Sequence, residues 1–211
     1  MKVDIYSYTG KKVADKITVK DKVFKSDIRK DLTDRFAYIH LVNCRQGTAF
    51  AKDRAQVSGT GRKARKNSRL GLSRIGDKRS NIFTKGGVAH GPKGGIFSLK
   101  MPQKVRRMAL YSSLSEKLSN KDILFIDKIV ISDKTPRVKQ ALKILEKLNI
   151  SDSKVLIVTD KKDEILKKSF SNIQNIKLLP SPFITSYDIL NYRKILILKD
   201  SLDNIPGYKD V

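Results

Sequence analysis

The feature that most constrains the fold is a long basic, glycine-rich stretch in the middle of the chain. Residues 45–107 hold 17 of the 45 Lys and Arg residues and 10 of the 12 Gly residues, but only two acids, Asp53 and Asp77. A stretch with so little apolar surface and so much like charge cannot bury enough area to offset the entropy of ordering it. We therefore expect residues 45–102 to form an extended loop that a partner orders, rather than part of a core.

The flanking residues show a different pattern, in which short apolar runs alternate with amphipathic helices. A hairpin is predicted over 3–8 and 13–19, and the helical spacing of apolar residues predicts helices over 27–42 and 103–118. Further strands are predicted at 122–131, 154–160, 176–180 and 194–200, with helices at 135–149, at 164–170 and around Tyr187.

Strands rich in Val, Ile and Leu that alternate with helices are typical of a mostly parallel sheet. The predicted fold class is therefore α/β: a mostly parallel sheet flanked by helices, with a long extended basic loop inserted. One globular domain would be formed by residues 1–44 and 103–211, and residues 45–102 would be the loop.

The formal net charge of +24 indicates a polyanionic partner. Nucleic acid is favoured over a membrane, because no apolar run approaches the roughly 18 residues of a transmembrane helix and no lipidation motif is visible. RNA is favoured over DNA, because an irregular loop suits a folded RNA surface and no recognition-helix motif is visible. The predicted RNA-binding residues are the cations of the basic stretch: Arg45, Lys52, Arg54, Arg62, Lys63, Arg65, Lys66, Arg69, Arg74, Lys78, Arg79, Lys85, Lys93, Lys100, Lys104, Arg106 and Arg107.

Two glycine-rich motifs have alternative interpretations. Residues 59–64, GTGRKA, match the dinucleotide-binding pattern G-x-G-x-x-[GA], but no strand is predicted before them and no helix after them. Their glycines are more simply explained by close approach of the backbone to RNA phosphates, although a nucleotide-dependent enzyme on a doubly wound sheet stays as an alternative. Residues 85–95, KGGVAHGPKGG, are either a turn cluster that contacts RNA or a flexible linker.

Nothing in the sequence predicts catalysis, a cofactor or a metal. His40 and Cys44 lie four residues apart on a predicted helix, but a structural zinc site needs four ligands and Cys44 is the only cysteine. A single cysteine also suits a reducing compartment, and the N-terminus lacks the apolar run of a signal peptide, so we expect a cytoplasmic protein. Four aromatic residues could stack on RNA bases, with packing as the alternative for the last two: Phe50, Phe83, Phe97 and Tyr111.

Four segments occur in the order and at the approximate spacing of a known family: RQGTA (45–49), VSGTGRK (57–63), GGVAHGPK (86–93) and KVRRMALYSSLSEK (104–117). Over most of its length the chain resembles the large-subunit ribosomal protein family four, bacterial type. The resemblance implies a non-enzymatic protein of the large ribosomal subunit with an α/β domain. It also implies a long loop that threads through ribosomal RNA and a tip that helps line the nascent-peptide exit tunnel.

By this resemblance the partners are large-subunit ribosomal RNA, neighbouring large-subunit proteins and the nascent peptide, and the chain is a monomer within the cytoplasmic ribosome. The loop tip would span about 59–84, with Lys63, Arg65, Lys66 and Arg69 nearest the tunnel wall. The sequence departs from the family where a Pro-Trp pair is usual, since it has Ala64 and Arg65 there and no tryptophan anywhere. The remaining alternative is a general RNA chaperone or architectural DNA-binding protein, which would bind any polyanion equally well.

Overall fold

A six-stranded sheet organises the computed structural model, which describes residues 1–66, 71–129, 138–150 and 153–208. The strands among these residues are β1 (Lys2–Tyr6), β2 (Lys12–Thr18), β3 (Ile123–Ile126), β4 (Val155–Thr159), β5 (Ile176–Pro180) and β6 (Lys194–Leu198). Their order across the sheet is β2-β1-β3-β6-β4-β5. Strands β1 and β2 pair antiparallel as a hairpin, with Val3 opposite Ile17, and the other neighbouring strands pair parallel.

Helices join the parallel strands. They are α1 (Asp21–Phe24), α2 (Lys30–Asn43), α3 (Gln103–Ser119), α4 (Val138–Lys147), α5 (Glu164–Phe170) and α6 (Ser186–Asn191), and two short 3-10 turns follow β5 and β6. Side-chain caps fix the starts of α5 and α6: the Asp163 carboxylate accepts from two backbone N–H groups, and the Thr185 hydroxyl accepts from Asp188 N–H. Such caps satisfy N–H groups that have no partner within the helix.

The core consists of two apolar layers on opposite faces of the sheet. Alternate residues of β4 point to opposite faces, so Leu156 and Val158 pack in one cluster while Val155 and Ile157 pack in the other. The first cluster includes Leu114 of α3, and residues of α4 and α5 cover the second face. All five residues of β4 are buried, as expected for a central strand covered on both sides.

The predicted α/β class with a mostly parallel sheet is confirmed, and the differences lie in element lengths. Strand β3 ends at Ile126, earlier than predicted, because Ile126 pairs with the last residues of β1 and β6, Tyr6 and Leu198. Helix α1 was not predicted, since four residues carry too little periodicity. Residues 130–131 of the predicted strand and 135–137 of the predicted helix lie outside the described residues.

The chain divides into two compact units. The larger unit contains residues 1–41 and 100–211, with the sheet and its two apolar layers, and the smaller unit contains residues 42–99. The smaller unit thus holds most of the predicted loop, hereafter called the basic segment (45–102). No helix among the described residues is long and apolar enough to cross a membrane.

Candidate nucleic-acid interface

The basic segment has little regular secondary structure, yet specific hydrogen bonds join its two halves. Ala51 N–H donates to Pro92 O (2.8 Å), and Val88 N–H donates to Lys52 O (2.9 Å). These bonds connect residues that lie about forty positions apart, so the two ends of the smaller unit pair with each other. Pairing of this kind provides hydrogen-bond partners for backbone N–H and C=O groups in a segment whose described residues form no regular helix or strand.

Two glycines permit this close pairing. Gly47 has a φ of +66°, and a Cβ there would lie 1.9 Å from Gly95 O. A Cβ at Gly87 would lie 2.3 Å from Arg54 N. Real Cβ atoms do not approach so closely, and side chains disfavour positive φ. These two glycines therefore allow close contact within the chain.

Five of the predicted RNA-binding cations surround one cavity, hereafter the basic cavity. Its volume is about 380 Å³, and it is lined by Thr60, Arg62, Lys63, Ala64, Arg65, Lys66 and Lys78. No acid is among these lining residues. Like charges grouped around one space repel each other, and an anion placed among them relieves the repulsion. The basic cavity is therefore suited to a phosphate group.

A buried acid lies in the same unit. Asp77 is 9% exposed, and its Oδ2 lies 3.5 Å from Arg79 Nε and 3.8 Å from Arg54 Nη2. Its backbone pairs antiparallel with that of Lys63, which lines the basic cavity. The carboxylate thus brings together two predicted RNA-binding cations, Arg54 and Arg79. Sequence reasoning missed this contact, although an acid among so many cations was a signal for it.

The remaining predicted cations of the basic segment lie mostly on the surface. Lys93 forms an ion pair with Asp53 (3.3 Å), and the Arg45 guanidinium lies over the Phe97 ring at 5.5 Å from its centroid. Four others are exposed: Lys52, Arg74, Lys85 and Lys100. Arg69 lies outside the described residues.

Three further predicted cations belong to the larger unit, where they lie in the first part of α3. Lys104 and Arg106 are exposed, and Arg106 and Arg107 line a second cavity of about 240 Å³ together with Thr185. The first turn of α3 holds no acid, although the positive end of a helix dipole favours negative charge. Cations at this end are unfavourable for the helix alone, so an anionic partner explains them better than helix stability does.

The aromatic residues that could stack on RNA bases differ in their exposure. Tyr111 packs against the first apolar layer and donates to Pro206 O (3.4 Å), while Phe50 is 55% exposed.

The His40 ring stacks on Tyr187, with 4.4 Å between centroids. No group of three or more potential metal-ligating side chains occurs in the part of the chain that the structure describes. The described residues flanking 59–64 form no strand or helix, so the dinucleotide pattern has no structural context.

Comparison with known proteins shows which family the sequence resembles. The family model described as "Ribosomal protein L4/L1 family" matches residues 17–207. The chain is 38% identical over 195 residues to the large ribosomal subunit protein uL4 of Aquifex aeolicus (strain VF5), covering 92% of this chain and 96% of the relative. It is 36% identical over 204 residues to the protein of the same name from Alkaliphilus oremlandii (strain OhILAs), covering 97% of each. It is 33% identical over 201 residues to that of Carboxydothermus hydrogenoformans (strain ATCC BAA-161 / DSM 6008 / Z-2901), covering 95% of this chain and 96% of the relative.

Proposed function

The chain belongs to the ribosomal protein L4/L1 family, and on that premise we propose that it is a structural constituent of the large ribosomal subunit that binds ribosomal RNA through its basic segment. It is a structural protein and not an enzyme. Its curated relatives are named as large ribosomal subunit proteins, so its place of action is the ribosome in the cytoplasm. Binding would support assembly of the subunit and hence translation.

The observation that supports RNA as the ligand is the basic cavity. Five cations line it without an acid, in a unit none of whose described residues belongs to either apolar cluster. RNA carries one phosphate per nucleotide, and folded RNA brings several phosphates close together. Each phosphate contact releases condensed counterions, so a row of individually weak cations acts collectively. A protein surface with this charge therefore binds a compact polyanion most favourably.

The two units would make different contributions to RNA binding. The larger unit has its own core and presents Lys104, Arg106 and Arg107 on a regular helix. The smaller unit supplies irregular backbone that glycines allow to pack closely. Contacts to phosphate and sugar position a protein on RNA, whereas specificity for a folded RNA comes mainly from its shape. An irregular unit of fixed geometry suits recognition of one such shape.

The finer part of the proposal follows the family resemblance. The tip, at about 59–84, would help line the nascent-peptide exit tunnel, with Lys63, Arg65, Lys66 and Arg69 nearest the wall. Neighbouring large-subunit proteins and the nascent peptide would then be further partners of a chain that is a monomer within the ribosome. The boundaries of the globular domain, 1–44 and 103–211, belong to the same proposal.

The test is a charge-removal variant in which five cavity cations are replaced by Gln: Arg62, Lys63, Arg65, Lys66 and Lys78. Its matched control replaces five exposed lysines of the larger unit by Gln: Lys139, Lys143, Lys147, Lys161 and Lys162. Both full-length proteins have the same net charge, so a difference between them reports position rather than total charge. Filter binding to a large-subunit ribosomal RNA transcript is measured at several salt concentrations.

The cavity variant is expected to lose affinity and to show a salt slope shallower by about 3.5 units, at roughly 0.7 for each of five lost phosphate contacts. The control should keep nearly the wild-type slope. Stable one-to-one co-sedimentation of the wild type with the large subunit at high salt is expected as well. Equal affinity of the wild type for any polyanion would instead support a general nucleic-acid chaperone and contradict the proposal.

A further inference from the structure

One acid in the basic segment has a position that attraction to RNA does not explain. Asp77 is 9% exposed, whereas the side chain of Asp53, the other acid of the segment, is 38% exposed. A carboxylate lowers the attraction of the segment for phosphates, and burying one is costly unless cations compensate it. The role of Asp77 must therefore come from its geometry.

The Asp77 carboxylate connects two guanidinium groups from separate parts of the segment. Oδ2 lies 3.5 Å from Arg79 Nε and 3.8 Å from Arg54 Nη2. Arg79 Nε is buried and has no hydrogen-bond partner among the described residues. The carboxylate is thus the charge that compensates a buried part of Arg79. Without it, that nitrogen would be buried without this compensating charge.

Glycine backbone packs closely against Arg79. A Cβ at Gly59 would lie 3.1 Å from Arg79 Cγ, and a Cβ at Gly61 would lie 3.1 Å from Arg79 Nη2. Gly87 N–H donates to Arg79 O (2.9 Å). The two glycines of the sequence GTG therefore lie against the Arg79 side chain, where a larger residue would crowd it.

The backbone of Asp77 also sets the register on one side of the basic cavity. Lys63 lies opposite Asp77 in an antiparallel bridge, and Ala64 N–H donates to Gly76 O (2.9 Å). Lys63 and Ala64 both line the basic cavity. The backbone of Asp77 thus lies beside the wall of the basic cavity, while its carboxylate contacts Arg54 and Arg79.

We propose that Asp77 is a positioning residue for RNA binding, whose carboxylate holds the guanidinium groups of Arg54 and Arg79 near one point before RNA arrives. This inference rests on the proposed function. Preorganised cations lose less conformational freedom on binding. An acid thereby strengthens binding of one RNA shape, while it weakens general attraction to polyanions.

The test is Asp77→Asn in the full-length protein, with Asp53→Asn as the control that makes the same charge change at a side chain that is 38% exposed and pairs with Lys93 alone among the described residues. Both variants carry one more net positive charge than the wild type, so general electrostatics predicts tighter binding for both. If Asp77 positions the arginines, Asp77→Asn binds the large-subunit ribosomal RNA transcript about tenfold more weakly. Its salt slope becomes shallower by about one to two units, because phosphate contacts of Arg54 and Arg79 are lost. Its affinity for an unstructured RNA stays equal or rises, and Asp53→Asn does not lose affinity for either RNA.

A double-mutant cycle separates positioning from misfolding. In the background Arg54→Ala/Arg79→Ala, Asp77→Asn is expected to cause no more than about a twofold further loss, because the residues through which it acts are gone. An undiminished loss in that background would overturn the inference. So would transcript binding by Asp77→Asn that is as tight as wild type with an undiminished salt slope. If the wild type itself does not prefer the transcript over unstructured RNA, the proposed function fails instead.

Discussion

Each of the two units of this chain is stabilised by a different kind of interaction. The larger unit buries apolar side chains on both faces of a sheet, and Phe125 at its centre is completely buried. The smaller unit uses backbone hydrogen bonds, close-packed glycines and the ion pairs of Asp53 and Asp77. Apolar burial stabilises whatever packs well, whereas hydrogen bonds and ion pairs add little net stability but depend strongly on geometry. The difference suggests that one unit supplies stability and the other supplies shape.

The largest expected effect comes from truncating an aromatic side chain in the larger unit. Phe125→Ala removes a ring that is fully buried and packs edge-on against Phe24 at 5.9 Å, so we expect the free energy of unfolding to fall by about 3–5 kcal/mol. Phe50→Ala in the smaller unit is the control, since its ring is 55% exposed, and it should cost less than about 0.5 kcal/mol. Urea denaturation measures both, and equal losses would remove the distinction between the units.

A backbone clash in the smaller unit is expected to have a local effect. Gly87→Ala places a Cβ 2.3 Å from Arg54 N, which should destabilise the local pairing by about 1–3 kcal/mol. Hydrogen exchange of the Val88 amide, which donates to Lys52 O, should accelerate while the urea midpoint of the larger unit stays constant. Gly95→Ala is the control, because a Cβ there meets nothing within 4 Å. A shifted midpoint for Gly87→Ala would show that the two units unfold together.

A helix cap in the larger unit is expected to contribute less than its core. The Asp163 carboxylate accepts hydrogen bonds from Ile165 N–H (2.9 Å) and Leu166 N–H (3.3 Å), so Asp163→Ala should cost about 1 kcal/mol. Glu164→Ala removes the neighbouring acid, whose side chain is 84% exposed and makes no cap, and should cost only about 0.3–0.5 kcal/mol. Thermal unfolding distinguishes them, and an equal cost would mean that the cap bonds add nothing beyond charge.

The smallest expected effect concerns an exposed ion pair on the hairpin. The Lys12 ammonium, 3.0 Å from Asp4 Oδ2, lowers the pKa of Asp4 below its ordinary value of 3.8 and raises the pKa of Lys12. A lowered carboxyl pKa stabilises the fold above that ordinary value, and the contribution disappears as the pH falls through the lower folded pKa. NMR titration should show the pKa of Asp4 returning towards 3.8 in Lys12→Met. Lys16→Met is the control and should change it less, because Lys16 lies 4.0 Å from Asp4 Oδ1.

The fold of the larger unit could be predicted from the sequence because its signals are local. The run of apolar residues in β4 and the capped start of α5 each indicate one element without reference to the rest of the chain. The errors arose where partners decide the boundary: β3 stops where its neighbours β1 and β6 stop. The antiparallel position of β2 followed from the hairpin, but the order β3-β6-β4 has no local signal.

The sequence predicts that the basic segment is a cationic surface, but it does not predict the contacts within that segment. Charge and glycine content indicated a nucleic-acid partner. The bridge between Lys63 and Asp77 and the burial of Asp77 between two arginines depend on which residues meet across the segment. The periodicity of the sequence does not predict such contacts. The glycines of GTG were noticed for a nucleotide pattern, whereas they lie against Arg79.

The central position of β6 has a consequence for the order of events during synthesis. Strand β6 lies between β3 and β4 and is the last of the six to be made, so the sheet cannot close until residues 194–198 have left the ribosome that translates them. The basic segment, at 45–102, emerges well before that point. Strongly cationic residues are therefore available to RNA while the domain that carries them is still unfinished. Non-local pairing of this kind also slows folding. A nascent chain of this protein thus exposes its basic segment before the sheet of its larger unit can be completed.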